Sequence, residues 1–198
     1  MKRKTIFIVP GYRHRPTQRA YKEISKILKG EGYHTVPITM PWRQTTISEN
    51  MEYLVKRYKR IKSKKKYILG FSLGAMIAFI ESTKVRSSGL ILCSLSPYFK
   101  EDLLKVNDIK FSATSVKRLQ YKDFQQLSSV ALAKEIKAKK VLMLYGTKEA
   151  KSLIKRVTQT YKQISSVDKY LISIKETEHN IADKRYLTAI HQVAKELN

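Results

Sequence analysis

The chain has 198 residues, 42% of them hydrophobic, a single cysteine and a formal net charge of +24. That length suits one domain, residues 1–198, with a full core and little left over. A lone cysteine excludes an internal disulfide, and no apolar run is long enough to span a membrane. The apolar stretch Ile6 to Val9, after the basic start Met1-Lys2-Arg3-Lys4, is too short for the core of a secretory signal. A soluble, cytoplasmic protein is the expectation.

The charge favours contact with something anionic, such as nucleic acid, acidic head groups or an acidic partner. The lysines are spread along the chain, however, and few aromatics are interleaved with them to stack on bases. The expectation is a solvated basic surface with at most weak, non-specific contact with anionic surfaces.

Taken in order, Thr5 to Val9 is a continuous apolar run stopped by Pro10-Gly11, as in a parallel strand buried on both faces. Residues 16 to 29 carry Ala20, Ile24, Ile27 and Leu28 at helical spacing, with Gly30 and Gly32 as stop signals. His34 to Met40 is a weaker strand, and Pro37 puts it at an edge of the sheet. Ile47, Met51, Leu54, Val55, Tyr58 and Ile61 form one helical stripe, opened by a Thr46–Glu49 capping box and followed by a basic tail from Lys56 to Lys66. Lys66 to Leu69 reads as a strand, and Ala75 onward, to about Val85, as a helix apolar on every side. Gly89 to Leu95 is the next strand. Pro97 to Ser129 shows no clean period, and Val130 to Lys137 is helical. Then come a strand from Lys140 to Tyr145, a helix over 151 to 164, a strand from Lys169 to Ile174 and a helix from Lys184 to Leu197. This alternation predicts an α/β fold: a three-layer α/β/α arrangement on a mostly parallel sheet of six strands. Functional groups are then expected beyond the carboxyl ends of the strands.

Between the third strand and its helix stands Gly70-Phe71-Ser72-Leu73-Gly74, a G-x-S-x-G pattern. A serine on so sharp a turn is held out at the end of the sheet, and glycines flank it because a Cβ there would clash. The arrangement resembles the nucleophile elbow of the α/β-hydrolase superfamily, and the likeness extends from Thr5 to the last helix. It is nearest to the small, nearly lidless esterases and lipases, with 97–129 the only room for a short cap. The resemblance implies Ser72 as nucleophile and His179, just after the last strand, as its base. It implies an acid in the loop after the preceding strand, where Glu149 is the only carboxylate; Asp102, after the strand before that, is the rival. It further implies the backbone N–H groups of Leu73 and Tyr12 as oxyanion donors. Gly11 stands where the family often has His-Gly and would let the backbone approach the substrate, and His14 could touch substrate. His191 reads as structural, His34 as solvated and Cys93 as a buried small hydrophobe.

No paired Cys or His at ligand spacing and no phosphate-binding glycine motif is present, so neither metal nor cofactor is expected. The implied function is cleavage of a small carboxylic ester or thioester by a serine hydrolase. Two alternatives remain open: a non-catalytic module on the same scaffold that binds an anionic partner, and an acyltransferase using the same residues. A short cap implies a shallow, open pocket.

Overall fold

Six apolar runs bounded by charge or turn residues line up as one parallel sheet in the computed structural model, which describes residues 4–43, 45–103, 115–166 and 168–197. They are β1 (Lys4–Val9), β2 (Tyr33–Pro37), β3 (Lys65–Phe71), β4 (Gly89–Cys93), β5 (Val141–Gly146) and β6 (Lys169–Ile174). Their order across the sheet is β2-β1-β3-β4-β5-β6, and every pairing is parallel. β3 is therefore flanked by β1 and β4, with Val9 beside Gly70 and Phe71 beside Cys93.

Successive side chains of a strand point to opposite faces, so each run feeds two cores. Phe7, Val9, Ile68, Leu90, Leu92 and Met143 face one layer, built by α2 (Ile47–Arg60), α3 (Leu73–Glu81), α6 (Ser129–Lys134) and α7 (Lys151–Gln163). Ile6, Ile8, Leu69, Phe71, Ile91, Cys93 and Leu144 face the other, built by α1 (Arg19–Gly30) and α8 (Lys184–Glu196). α3 is buried along its whole length, which is why its sequence is apolar all round.

Most elements fall where the sequence puts them, with shifted ends. α2 starts on the expected capping box, in which the Thr46 hydroxyl accepts from Glu49 N. β2 lies at an edge and stops at Pro37, three residues before Met40, because the chain leaves the sheet after Ile38 N donates to Ile8 O. α3 stops at Glu81 rather than near Val85: the hydroxyls of Ser82 and Thr83 donate to Phe79 O and Ile80 O, which ends the helix. The stretch without a period holds α4 (Lys100–Leu103) and α5 (Ser115–Gln126). α5 has too few apolar residues at regular spacing to show a stripe, and its Asp123 accepts from Ser48 N at the start of α2. The expected cap at 97–129 lies partly outside the described residues. No helix among the described residues is long and apolar enough to cross a membrane.

Candidate active site

Ser72 is the single residue between β3 and α3. Its backbone sits at φ 55, ψ −121, a strained conformation for a residue with a side chain. The crossing is tight on both sides. A Cβ on Gly74 would overlap the carbonyl oxygens of Val9 and Pro10, and one on Gly70 would overlap the backbone of Gly74 and Ala75. Ser72 N donates to Cys93 O at 2.9 Å, tying the turn to β4. The hydroxyl makes no cap with its helix. It lies instead 3.0 Å from His179 Nε2 and 3.3 Å from Ser96 Oγ.

His179 comes from the loop after β6, and its ring stacks on Phe71 at 4.8 Å between centroids. That loop is stitched to the one after β5. Thr147 N donates to Ile174 O and Lys148 N to Thr177 O, each at 3.0 Å, and Glu176 N donates to Thr147 Oγ1 at 2.9 Å. A Cβ on Gly146 would collide with Thr177 O, so only glycine allows this approach. The stitching carries Glu149 to the far side of the imidazole. Its side chain is fully buried, and Oε1 is 3.7 Å from His179 Nδ1. Oε1 also accepts the Ser94 hydroxyl at 2.5 Å.

Asp102 goes elsewhere. Arg156 Nε and Nη2 grip its carboxylate at 2.6 to 3.1 Å, and Arg156 Nη1 donates to Ser129 Oγ. The pair locks α4 and α6 onto α7. Beside it, burial pushes the Glu101 carboxyl up, but the Ser128 hydroxyl and nearby backbone N–H groups more than offset this and hold it below its usual range.

The loop after β1 runs past the other side of Ser72. A Cβ on Gly11 would come within 3.1 Å of the Phe71 ring and 3.4 Å of the Ser72 Cβ. Gly11 N donates to Tyr21 Oη at 2.9 Å, and the same oxygen lies 2.9 Å from His14 Nδ1. Among the described residues, Tyr12 N and Leu73 N donate to no loop carbonyl or side chain. His14 also stacks on Phe71, with an interplanar angle of 13°. Burial, then the neighbouring His179, lowers its pKa. His14 is not among the residues that line the cavity at Ser72.

That cavity measures about 710 Å³, larger than a short cap suggests. Pro97, Tyr98, Ala150 and Leu153 give it apolar walls, while Asp102, Lys155, Arg156 and Gln159 make it polar further along α7. Ser72, Ser96 and His179 line it as well.

The sequence reading missed Ser94, Ser96, Tyr21, Tyr186 and Arg156. Ser94 and Ser96 had a signal, since they directly follow an apolar strand at the edge where the site lies. The other three sit on helical stripes and had none.

No family model matches the chain, and no characterised protein matches it at the level of sequence. Solved structures do match in shape. Est1E from Butyrivibrio proteoclasticus superposes with a TM-score of 0.81 at 16% identity, covering 98% of this chain and 86% of its own. A Paleococcus ferrophilus monoacylglycerol lipase gives 0.77 at 15%, covering 98% and 95%. MGS-MChE2, an α/β hydrolase enzyme from a lagoon-sediment metagenome, gives 0.76 at 17%, covering 98% and 90%. At these identities the likeness is one of fold.

Proposed function

We propose that this chain, which has the fold of the α/β-hydrolase superfamily, is a serine hydrolase that cleaves a small carboxylic ester or thioester through an acyl-enzyme. The observation that carries the reading is the line of Ser72 Oγ, His179 and Glu149, with the hydroxyl 3.0 Å from Nε2 and the buried carboxylate facing Nδ1. A serine hydroxyl is a weak nucleophile until a base takes its proton. His179 Nε2 is placed to take it as Oγ attacks the substrate carbonyl. The imidazolium so formed then faces Glu149, which fixes its orientation and offsets its charge. The 3.7 Å gap is wider than a hydrogen bond and closes with a small ring movement once Nδ1–H carries positive charge.

The oxygen of the tetrahedral intermediate carries the developing negative charge. Leu73 N–H, at the start of α3, and Tyr12 N–H, on the loop beside Ser72, are the donors proposed for it. His179 next protonates the leaving group, water enters, and the same histidine takes a proton from it to release the acid. Gly11 allows the loop to approach. His14 stacks on the Phe71 ring next to Ser72.

The cavity sets the size preference. Its wall along α7 changes from Ala150 and Leu153 to Lys155, Arg156 and Gln159 over about 13 Å of helix. A short acyl or aryl group fits against the first part, and a long alkyl chain would have to desolvate the charged part. A series of 4-nitrophenyl esters tests this: acetate and butyrate should be cleaved faster than laurate and palmitate, with no activation by a lipid interface. A clear preference for the long chains contradicts the proposed pocket. Est1E has been solved with ferulic acid bound, so an aromatic acyl ester belongs in the series.

A further inference from the structure

The carboxylate of Glu149 is held from a second direction by a group that the proposed reaction does not itself need. Oε1 accepts the Ser94 hydroxyl at 2.5 Å, while Oε2 is buried and has no hydrogen-bond partner among the described residues. Ser94 is wholly buried, and its φ of 52° lies in the left-handed region that favours glycine. Its backbone N donates to Leu144 O at 2.8 Å, fixing the residue across β4 and β5. Its oxygen is also 2.7 Å from Tyr186 Oη on α8, and the Tyr186 hydroxyl can also donate to Leu144 O at 3.2 Å.

Proton counting orders this cluster. A carboxylate only accepts, so the single Ser94 proton points to Glu149. With that proton committed, the 2.7 Å contact between Ser94 and Tyr186 needs the Tyr186 proton, and being shorter than the 3.2 Å contact to Leu144 O it makes the Ser94 oxygen the main acceptor. The groups facing Glu149 are His179 from the β6 loop, Cys93 at the end of β4, Ser94 just after it, and Tyr186 from α8. Burial, then the Glu149 charge, pushes the Cys93 thiol up. Burial, with Cys93 and Glu149 as neighbours, does the same to the Tyr186 phenol. Both stay protonated at neutral pH.

We propose that Ser94 is a positioning residue for the acid, with Tyr186 behind it: the relay Tyr186 O–H to Ser94 O–H to Glu149 Oε1 aims one carboxylate oxygen at His179. The inference rests on the serine-hydrolase reading. Its physical reason is the length of glutamate. With one more rotatable bond than aspartate, a glutamate in this loop needs a second fixed contact to present the same oxygen on every turnover.

Two variants separate the hydroxyl from the backbone. Ser94→Ala removes the hydroxyl and keeps the Cβ; Ser94→Gly removes the hydroxyl and relieves the conformation. Both should lower kcat for a short 4-nitrophenyl ester by about 10- to 100-fold, as for loss of a hydrogen bond to a charged group. KM should stay within about twofold of the parent, and Ser94→Gly should melt no lower than Ser94→Ala. In a Glu149→Gln background the same Ser94→Ala change should cost less than about threefold, because the two residues act as one unit. The rate of labelling by a fluorophosphonate repeats the comparison without a chosen ester. Parental kcat in Ser94→Gly would place the effect in the backbone, and multiplicative losses in the double variant would show that Ser94 acts on something other than Glu149; either result overturns the proposal. Full activity in Ser94→Ala, with Ser72→Ala inactive, removes the positioning role alone. Full activity in Ser72→Ala removes the reaction it serves.

Discussion

Glu149 and Asp102 both stand at the carboxyl edge of the sheet, yet their surroundings give them different work. Glu149 meets a histidine and a hydroxyl in a fully buried niche. Asp102 is bound at both oxygens by a guanidinium that is 3% exposed. Glu149→Gln should therefore lower turnover by several hundredfold or more and leave folding almost unchanged, since His179 loses its orientation and the support of its cation. Asp102→Asn should stay within about tenfold of parental activity but lose about 2–4 kcal/mol of stability, because it strands a buried arginine charge. Steady-state kinetics and denaturant melts on the two variants check this, and the reverse ranking would move the acid to Asp102. At this scale the sequence was informative where chemistry is tied to chain order: a serine between two glycines, a carboxylate after the next-to-last strand, a histidine after the last. It was silent on the supporting partners. Ser94 reaches a residue 55 positions on and another 92 positions on, and Arg156 reaches back 54. Only the lateral order of the strands brings such pairs together.

α3 shows what an element contributes beyond holding Ser72. Glu81, its last residue, is fully buried with both carboxylate oxygens unpartnered among the described residues. Burial raises its pKa from 4.5 to about 7, against a smaller lowering by Lys84 and Lys59. Below pH 4.5 the group is protonated whether the chain is folded or not. From 4.5 to about 7 only the unfolded chain loses the proton, so stability falls as pH rises; above that the folded protein ionises too and the loss levels off. The span corresponds to about 3 kcal/mol. Chemical denaturation at pH 4.5 and pH 8 should show this loss in the parent and a much flatter response in Glu81→Gln. An unchanged slope in the variant would place the titration elsewhere. The extent of α3 also shows where element reading stops. Apolar periodicity marks its body, whereas its end is set by the hydroxyls of Ser82 and Thr83 turning back on the helix. α5 was illegible for a different reason: it has too few apolar residues at regular spacing to show a stripe.

Across the whole molecule, the densest basic cluster lies at the opposite end of β3 from Ser72. Exposed Lys56, Arg57, Lys59, Arg60, Lys62, Lys64 and Lys65 run from the end of α2 into the start of β3, while Ser72 follows its last residue. Seven residues of strand span about 23 Å, well beyond the screening length of about 8 Å at physiological salt. The basic cluster therefore exerts little field on the candidate site, and contact with an anionic surface would be separable from hydrolysis. The parallel sheet was legible as a whole because six strand-like runs alternate with helices and the runs at its centre, β1, β3, β4 and β5, are buried on both faces. The cavity was not, since its volume depends on how 97–102 packs over α7. The central claim, that this scaffold carries a working serine, is tested most directly by a fluorophosphonate probe. The parent should take up one probe per chain, on Ser72 by peptide mass mapping, and Ser72→Ala, still folded, should take up none. An unlabelled parent, or a label that persists in Ser72→Ala, would contradict the account.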